Sequence, residues 1–144
     1  MPATNELRFL TALLEEAFRE KAWHGPTLTG ALRGVSAQQA AWRPAAGRHS
    51  TQELTLHTAY WKYVARRRLT GEERLRFEMS GSNWFSCPDQ PTEAEWKKHV
   101  RLLTEQHEEL CRVVSETRDL NPERVRLIRG VACHDLYHAG RIHS

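Results

Sequence analysis

The chain has 144 residues, of which 40% are hydrophobic and 27% charged, a composition that suits one domain folded around its own core, spanning residues 1–144. The net charge of +3 is too small to predict a nucleic-acid-binding surface, and Arg66 to Arg68 form the only basic run. Three cysteines without CxxC spacing argue against a disulfide framework, and no segment reaches the ~20 apolar residues of a membrane span, so we expect a cytoplasmic protein without nucleic-acid or membrane partners.

The first long helix is predicted from Thr4 to Lys21, where leucines recur every three or four residues on one face. The segment His24-Gly25-Pro26 ends it, because glycine permits a turn and proline cannot continue a helix. Two short helical turns are predicted between Thr27 and Pro44. A capping box in Ser36-Ala37-Gln38-Gln39 begins the second of them.

The second long helix is predicted to begin at the capping box of Ser50 and Glu53 and to end at Gly71. His57 and Trp61 follow the box at helical spacing, which places His57 on the apolar face. A histidine there is ordinarily a core residue with one hydrogen-bond partner, and a metal ligand is the alternative. Trp61 lies one turn later, where it would line a pocket beside His57.

The third long helix follows a predicted loop from Glu78 to Pro91, in which glycines and prolines break any periodicity. Trp84-Phe85 within this loop need cover, so we expect the loop to fold back over the domain. Thr92-Glu93-Ala94-Glu95 forms another capping box. His107 lies on the inner face behind it, either as a core histidine with one hydrogen bond or as an acid or base that faces a metal pocket.

The fourth long helix is predicted to begin at Asn121-Pro122, a favourable cap and first-turn pair. Its predicted inner face consists of Leu127, Val131, His134, His138 and Arg141. Four long amphipathic helices and no strand pattern predict an all-α fold, a four-helix antiparallel bundle. Short helical turns would separate the first two long helices, and a long loop the second and third.

Histidines on two of these helices suggest a metal site. His134 and His138 are one helical turn apart on one face, and two imidazoles at that spacing can bind one ion. In a four-helix bundle, His57 on the second long helix can meet them. Three neutral imidazoles suit a divalent metal ion such as zinc or nickel, with coordination positions left for water or a substrate.

Motifs along nearly the whole chain resemble the DinB-like superfamily, and most closely its small metal-dependent branch, which includes bacillithiol transferases and YfiT-like hydrolases. The resemblance is carried by Arg43-Pro44, His49-Ser50, Leu56-His57 with Trp61, Asn83-Trp84, Thr92 through Trp96, and His134 through Ile142. It implies a four-helix bundle, often a homodimer, with a divalent metal held by His57, His134 and His138. It also implies a small-molecule substrate and either transfer of a low-molecular-weight thiol to an electrophile or hydrolysis.

One position departs from the family pattern. Gly140-Arg141-Ile142 stands where the family usually has Gly-Gln-Ile, so a cation follows the last predicted ligand. Arg141 is expected either to be an ordinary surface charge or to bind a carboxylate of the substrate or thiol.

Two other classes of function remain open. His134-Asp135-Leu136-Tyr137-His138 resembles the H-E-x-x-H motif of zinc proteases, but aspartate is one methylene shorter than the usual glutamate, and only six residues follow His138. The alternative to an enzyme is a helical bundle that binds a metal or ligand without catalysis. In either case Asp135 is expected to orient a ligating imidazole or to face solvent.

The remaining candidate side chains are expected to be structural. Cys133 points about 100° away from His134 on a helix and is predicted to be a small buried residue, whereas Cys87 in the loop could approach the site. The other histidines are expected at the surface or as caps: His24, His49, His99 and His143. The tryptophans are expected chiefly in the core: Trp23, Trp42, Trp61, Trp84 and Trp96.

Overall fold

A computed structural model describes residues 4–143. Over this range the chain is all-α, which confirms the predicted class, and its only extended pairing is an isolated bridge between Ala22 and Gly25. The helices are α1 (Asn5–Phe18), α2 (Leu28–Leu32), α3 (Ala37–Ala41), α4 (Thr51–Thr70), α5 (Glu93–Ser115) and α6 (Pro122–His143). The four long helices are α1, α4, α5 and α6, and the two short turns are α2 and α3.

The helix ends follow local sequence signals. The predicted capping boxes are formed at Ser36, Ser50 and Thr92, where each side chain accepts a hydrogen bond from a backbone N–H three residues on. Gly71 ends α4 with a φ of 69°, a conformation that glycine adopts without steric cost. The end of α1 was predicted less well, because the helix stops at Phe18, before Lys21.

The four long helices pack around two apolar clusters, one at each end of the bundle. The Phe18 cluster includes Phe18, Leu56, Ala59, Leu102, Leu103 and Ala139. The Leu14 cluster includes Leu10, Leu14, Ala65, Leu69, Leu110, Val114, Ile128 and Val131. Both α4 and α5 run from the Phe18 cluster to the Leu14 cluster, whereas α6 runs the opposite way. The predicted fully antiparallel arrangement is therefore wrong for α4 and α5, which are parallel.

The segment between α4 and α5 makes this parallel arrangement possible, because it returns the chain along the length of α4. The Tyr63 hydroxyl donates to the carbonyl of Leu75 at 2.9 Å, and the Gln52 amide donates to the carbonyl of Pro88 at 3.3 Å. Phe85 is buried in the Phe18 cluster. The predicted return of this loop over the domain is confirmed.

A polar layer separates the two apolar clusters. Lys62 on α4, His107 on α5 and Asp135 on α6 are each 0% exposed. Glu15 on α1 completes the layer through a contact with His107. Lys62 continues an inner stripe of α4 that also contains Thr58, Ala65 and Leu69, all buried. The interior of the bundle is thus apolar at both ends and charged in the middle.

The tryptophans are less buried than predicted. Trp96 is buried, and Trp61 and Trp84 are half-buried, but Trp23 and Trp42 are exposed. Both exposed residues lie in connections after helices, Trp42 as the C-cap of α3. Within residues 4–143, no helix has the length and apolar content needed to cross a membrane.

Candidate metal centre

The three predicted histidine ligands lie together between α4 and α6. The Nε2 atom of His134 is 3.1 Å from Nε2 of His57 and 3.1 Å from Nε2 of His138. The rings of His57 and His138 are buried, and that of His134 is half-buried. We call these three residues the histidine triad. One helical turn separates the two members on α6, and the antiparallel packing of α4 on α6 brings the third beside them.

The spacing of the nitrogen atoms fits a shared cation. In a tetrahedral site with metal–nitrogen bonds of about 2.0–2.1 Å, two ligand nitrogens lie about 3.3 Å apart. A hydrogen bond accounts for only one of the two 3.1 Å distances, since Nε2 of His134 carries at most one proton. Among the described side chains, those of residues 4–142, no fourth Cys, His, Asp or Glu joins this group. Such a three-ligand set is typical of a metal site that keeps an open position.

The loop before α5 fixes the orientation of His57. The Nδ1 atom of His57 lies 3.0 Å from the backbone carbonyl of Asn83, so Nδ1 carries the proton and Nε2 keeps its lone pair. Asn83 has a φ of 64°, and its side-chain oxygen accepts a hydrogen bond from the indole N–H of Trp61 at 2.9 Å. Trp84 stacks on His57 with ring centroids 3.9 Å apart. Asn83, the residue with the unusual backbone conformation, is thus the one whose carbonyl orients the His57 ring.

The electrostatic surroundings keep the triad uncharged. Burial is the main cause that lowers the pKa of all three imidazoles, to about 4 for His134 and about 3 for His138. Mutual repulsion and the positive charge of Arg141 further lower the pKa of His138. At neutral pH the three rings therefore retain the lone pairs that metal coordination requires.

One member of the triad borders a groove of about 690 Å³ between α4 and α6, which we call the α4–α6 groove. His134 forms part of its wall. Its apolar lining consists of Trp61, Val64, Ala65, Leu127 and Val131. Arg68 and Arg124 also line it. The groove is large enough for a small organic molecule with an apolar body that reaches His134.

A family model of the DinB superfamily matches residues 20–140, well over half of the chain. The chain belongs to the DinB superfamily. The matched range contains all three histidines of the triad, and this histidine group, in a family consistent with metal binding, could hold an ion. Comparisons with curated proteins and with solved structures found no match. The resemblance inferred from sequence is confirmed at the level of the superfamily.

His107 of this DinB protein lies in the polar layer and does not join the triad. Lys62 donates to Nδ1 of His107 at 3.2 Å, so Nε2 carries the proton and donates to Glu15 at 2.6 Å. Burial, with the charge of Lys62, lowers the pKa of His107 to about 3. In the structure His107 is a neutral core histidine with a partner at each ring nitrogen, where the sequence suggested one hydrogen bond.

Asp135 occupies neither of its two expected positions. Its Oδ2 atom lies 2.5 Å from the ammonium of Lys62, and the side chain is 0% exposed. Burial raises the pKa of Asp135, while the charge of Lys62 opposes that shift. Lys62 was not predicted to be buried, although its helical spacing with Thr58, Ala65 and Leu69 places it on their face of α4.

The remaining candidates differ in how closely they approach the triad. Arg141 is half-buried, with its guanidinium carbon 5.7 Å from the centre of the Tyr137 ring. Cys133 is exposed, so its predicted burial is wrong. The buried face of α6 includes Asp135, on the side of His134 that faces away from Cys133. Burial raises the pKa of Cys87 to about 11, and its Sγ does not join the triad.

One of the histidines expected at the surface or as a cap instead borders the triad. His49 is half-buried and stacks on Trp84 with ring centroids 3.5 Å apart, on the side of that indole opposite His57. His24 is exposed, as expected, and His99 is half-buried. The side chain of His143 lies outside the described residues.

Proposed function

We propose that this protein is a metal-dependent enzyme in which the histidine triad holds zinc or nickel and a small molecule reacts in the α4–α6 groove. The observation that supports the proposal is that Nε2 of His134, which lies on the wall of that groove, is 3.1 Å from Nε2 of both His57 and His138. Neutral imidazoles suit both metals. An open face toward a groove favours an enzyme over a site that only ties α4 to α6.

The reaction that we propose is transfer of a small thiol to an electrophile. Hydrolysis is the corresponding reaction in which water is the nucleophile. A bound divalent ion would lower the pKa of the thiol or water, so that the deprotonated nucleophile is present at neutral pH. The thiol sulfur forms a bond to the electrophilic carbon, the bond from that carbon to its leaving group breaks, and the thiol proton and leaving group pass to solvent. In hydrolysis, water oxygen replaces the sulfur.

The protein's own contribution is orientation and exclusion of water. The Asn83 carbonyl and the Trp84 ring hold His57 in one tautomer and one orientation. Trp61 is held by Asn83 on the wall of the groove, where its indole can pack against a substrate. A zinc protease is not supported, because the Asp135 carboxylate is buried against Lys62 and does not join the triad.

The test begins with metal analysis of protein purified without a histidine tag. We expect close to one divalent ion per chain, and loss of that ion in His57→Ala but not in His24→Ala, a matched change of an exposed histidine. The metal-loaded protein is then screened with small thiols plus an aryl halide, and with carboxylic esters and amides without thiol. Products identified by mass spectrometry separate thiol transfer from hydrolysis. Full metal content in His57→Ala, or a loaded protein without turnover on either panel, would contradict the proposal.

A further inference from the structure

The wall of the α4–α6 groove contains a glycine, Gly130 on α6. Gly130 is four residues before His134, so the two lie one turn apart on the same face of the helix. A helix rises 1.5 Å per residue, which places Gly130 about 6 Å from His134 along α6. Bare helix backbone therefore forms the wall of the groove beside the triad member that borders it.

The fold itself gives no reason for a glycine at this position. In a helix interior, glycine is less favourable than alanine, because it loses more conformational freedom on folding. Gly130 lies inside α6 and is not among the glycines with a positive φ. A Cβ atom at Gly130 would lie more than 4 Å from the described atoms of every other element. The missing side chain leaves space in the groove instead of admitting a neighbouring element.

Trp61 supplies an aromatic surface to the same groove from α4. Its indole N–H donates to the side-chain oxygen of Asn83 at 2.9 Å, and its ring meets that of His57 edge-on, with centroids 6.4 Å apart. The indole is thus held in one orientation next to the triad. Aromatic rings pair favourably with an indole, and a flat ring is thin enough to lie against bare helix backbone.

We propose that Gly130 determines which electrophile the groove accepts, because an aromatic ring of the substrate lies over its backbone and contacts Trp61. The substrate class is an aromatic electrophile, whose reacting carbon belongs to the ring or is attached to it and points to the triad. Any side chain at position 130 would occupy the space of this ring. The inference rests on the proposed function for the reaction, but its binding test does not require turnover.

The binding test compares benzyl alcohol with cyclohexylmethanol, which has the same carbon skeleton but no π face. Each is titrated into ¹⁵N-labelled protein, with and without zinc, and the indole N–H signal of Trp61 is followed after assignment with Trp61→Phe. We expect benzyl alcohol to shift this signal and to bind about fivefold more tightly than cyclohexylmethanol. Equal binding of the two probes, or tighter binding of cyclohexylmethanol, would overturn the aromatic substrate class.

Two substitutions of Gly130 separate a role in the groove from a role in the fold. Gly130→Leu should weaken binding of benzyl alcohol at least about tenfold, because the leucine side chain occupies the space of the ring. Gly130→Ala should weaken binding about threefold and yet raise the Tm by about 2–4 °C, because alanine favours the helix. A fall in Tm for Gly130→Ala would show that the fold needs this glycine, and would overturn the proposal.

Arg129→Leu is the control for Gly130→Leu. It places the same leucine one residue earlier, where the side chain is exposed and does not line the groove. It should leave binding of benzyl alcohol unchanged. If Gly130→Leu binds benzyl alcohol as tightly as Arg129→Leu, the assignment of Gly130 fails, and a normal metal content would leave the proposed function intact. If binding follows the expected pattern but the protein holds no metal, the proposed function fails and the aromatic subsite stands.

Turnover provides a second readout once a reaction has been found. A benzyl and a methyl electrophile with the same leaving group are compared, using the same nucleophile. Gly130→Leu should lower kcat/KM for the benzyl compound about tenfold and leave that for the methyl compound nearly unchanged, since a methyl group does not reach position 130. Equal losses for both electrophiles would overturn the assignment.

Discussion

The histidine triad and the polar layer both contain buried imidazoles, but the partners of those imidazoles are opposite in kind. In the polar layer, both nitrogens of His107 are satisfied, one by Lys62 and the other by Glu15. In the triad, three Nε2 atoms face one another, and no carboxylate of the part of the chain that the structure describes joins them. Burial lowers the pKa of the histidines in both places. What distinguishes a ligand from a core histidine here is therefore the identity of the groups facing its nitrogen atoms.

The two groups also hold the same pair of helices, α4 and α6, together in different ways. Lys62 and Asp135 connect α4 to α6 by charge within the folded protein itself. His57 and His134 lie on the same two helices, but they would connect them only through an added cation. The polar layer should therefore determine the stability of the metal-free protein, and the triad the stability gained on adding metal.

The largest expected effect comes from breaking the polar layer. Lys62→Met leaves the Asp135 carboxylate buried without its cation, which should lower the free energy of unfolding by about 3–5 kcal/mol. The double change Lys62→Met with Asp135→Leu should recover most of this loss, because a well-packed apolar pair often replaces a buried ion pair without cost. Urea unfolding of metal-free protein measures both. Lys97→Met, at an exposed position on α5, is the control. If Lys62→Met were as stable as Lys97→Met, this account would be contradicted.

The next effect concerns the triad and its metal. Zinc at 100 times its Kd should raise the free energy of unfolding by about 2.7 kcal/mol, and a chelator should reverse the gain. His57→Ala should abolish the gain, and His107→Gln should keep it. Protons compete for the same nitrogens, and burial lowers the pKa of all three imidazoles, so zinc affinity should fall only at a lower pH than the ~6.5 of a free imidazole would imply. Titration calorimetry measures the affinity. A loss of zinc binding in His107→Gln would contradict the assignment of the three triad histidines as the ligands.

The smallest expected effect is the pH dependence that His107 contributes. Its pKa is lowered to about 3 in the folded protein, against ~6.5 in the unfolded chain, so between these values the unfolded state binds more protons. The contribution of His107 is therefore fully present above pH ~6.5 and is lost as pH falls, by up to about 1.4 kcal/mol per unit. His107→Gln should reduce the slope between pH 6.5 and pH 5 by that amount in metal-free protein. An unchanged slope would show that His107 does not titrate this way.

Local sequence signals predicted most of the fold. Capping residues and apolar periodicity located the four long helices and the two short turns, because these signals act within a few residues of chain. They did not reveal that α4 and α5 are parallel. A helical stripe indicates which face is buried but not the direction of the neighbouring helix, and the long segment between α4 and α5 permits either arrangement.

The sequence by itself determined which helices carry His57, His134 and His138 and that the chain resembles the DinB superfamily, since spacing and motifs are properties of the linear chain. Only the tertiary structure decided the partners of each buried polar group. Lys62 and Asp135 were not recognised as an interior pair, because a lone charge on an apolar stripe becomes favourable only when a residue far along the chain supplies the opposite charge.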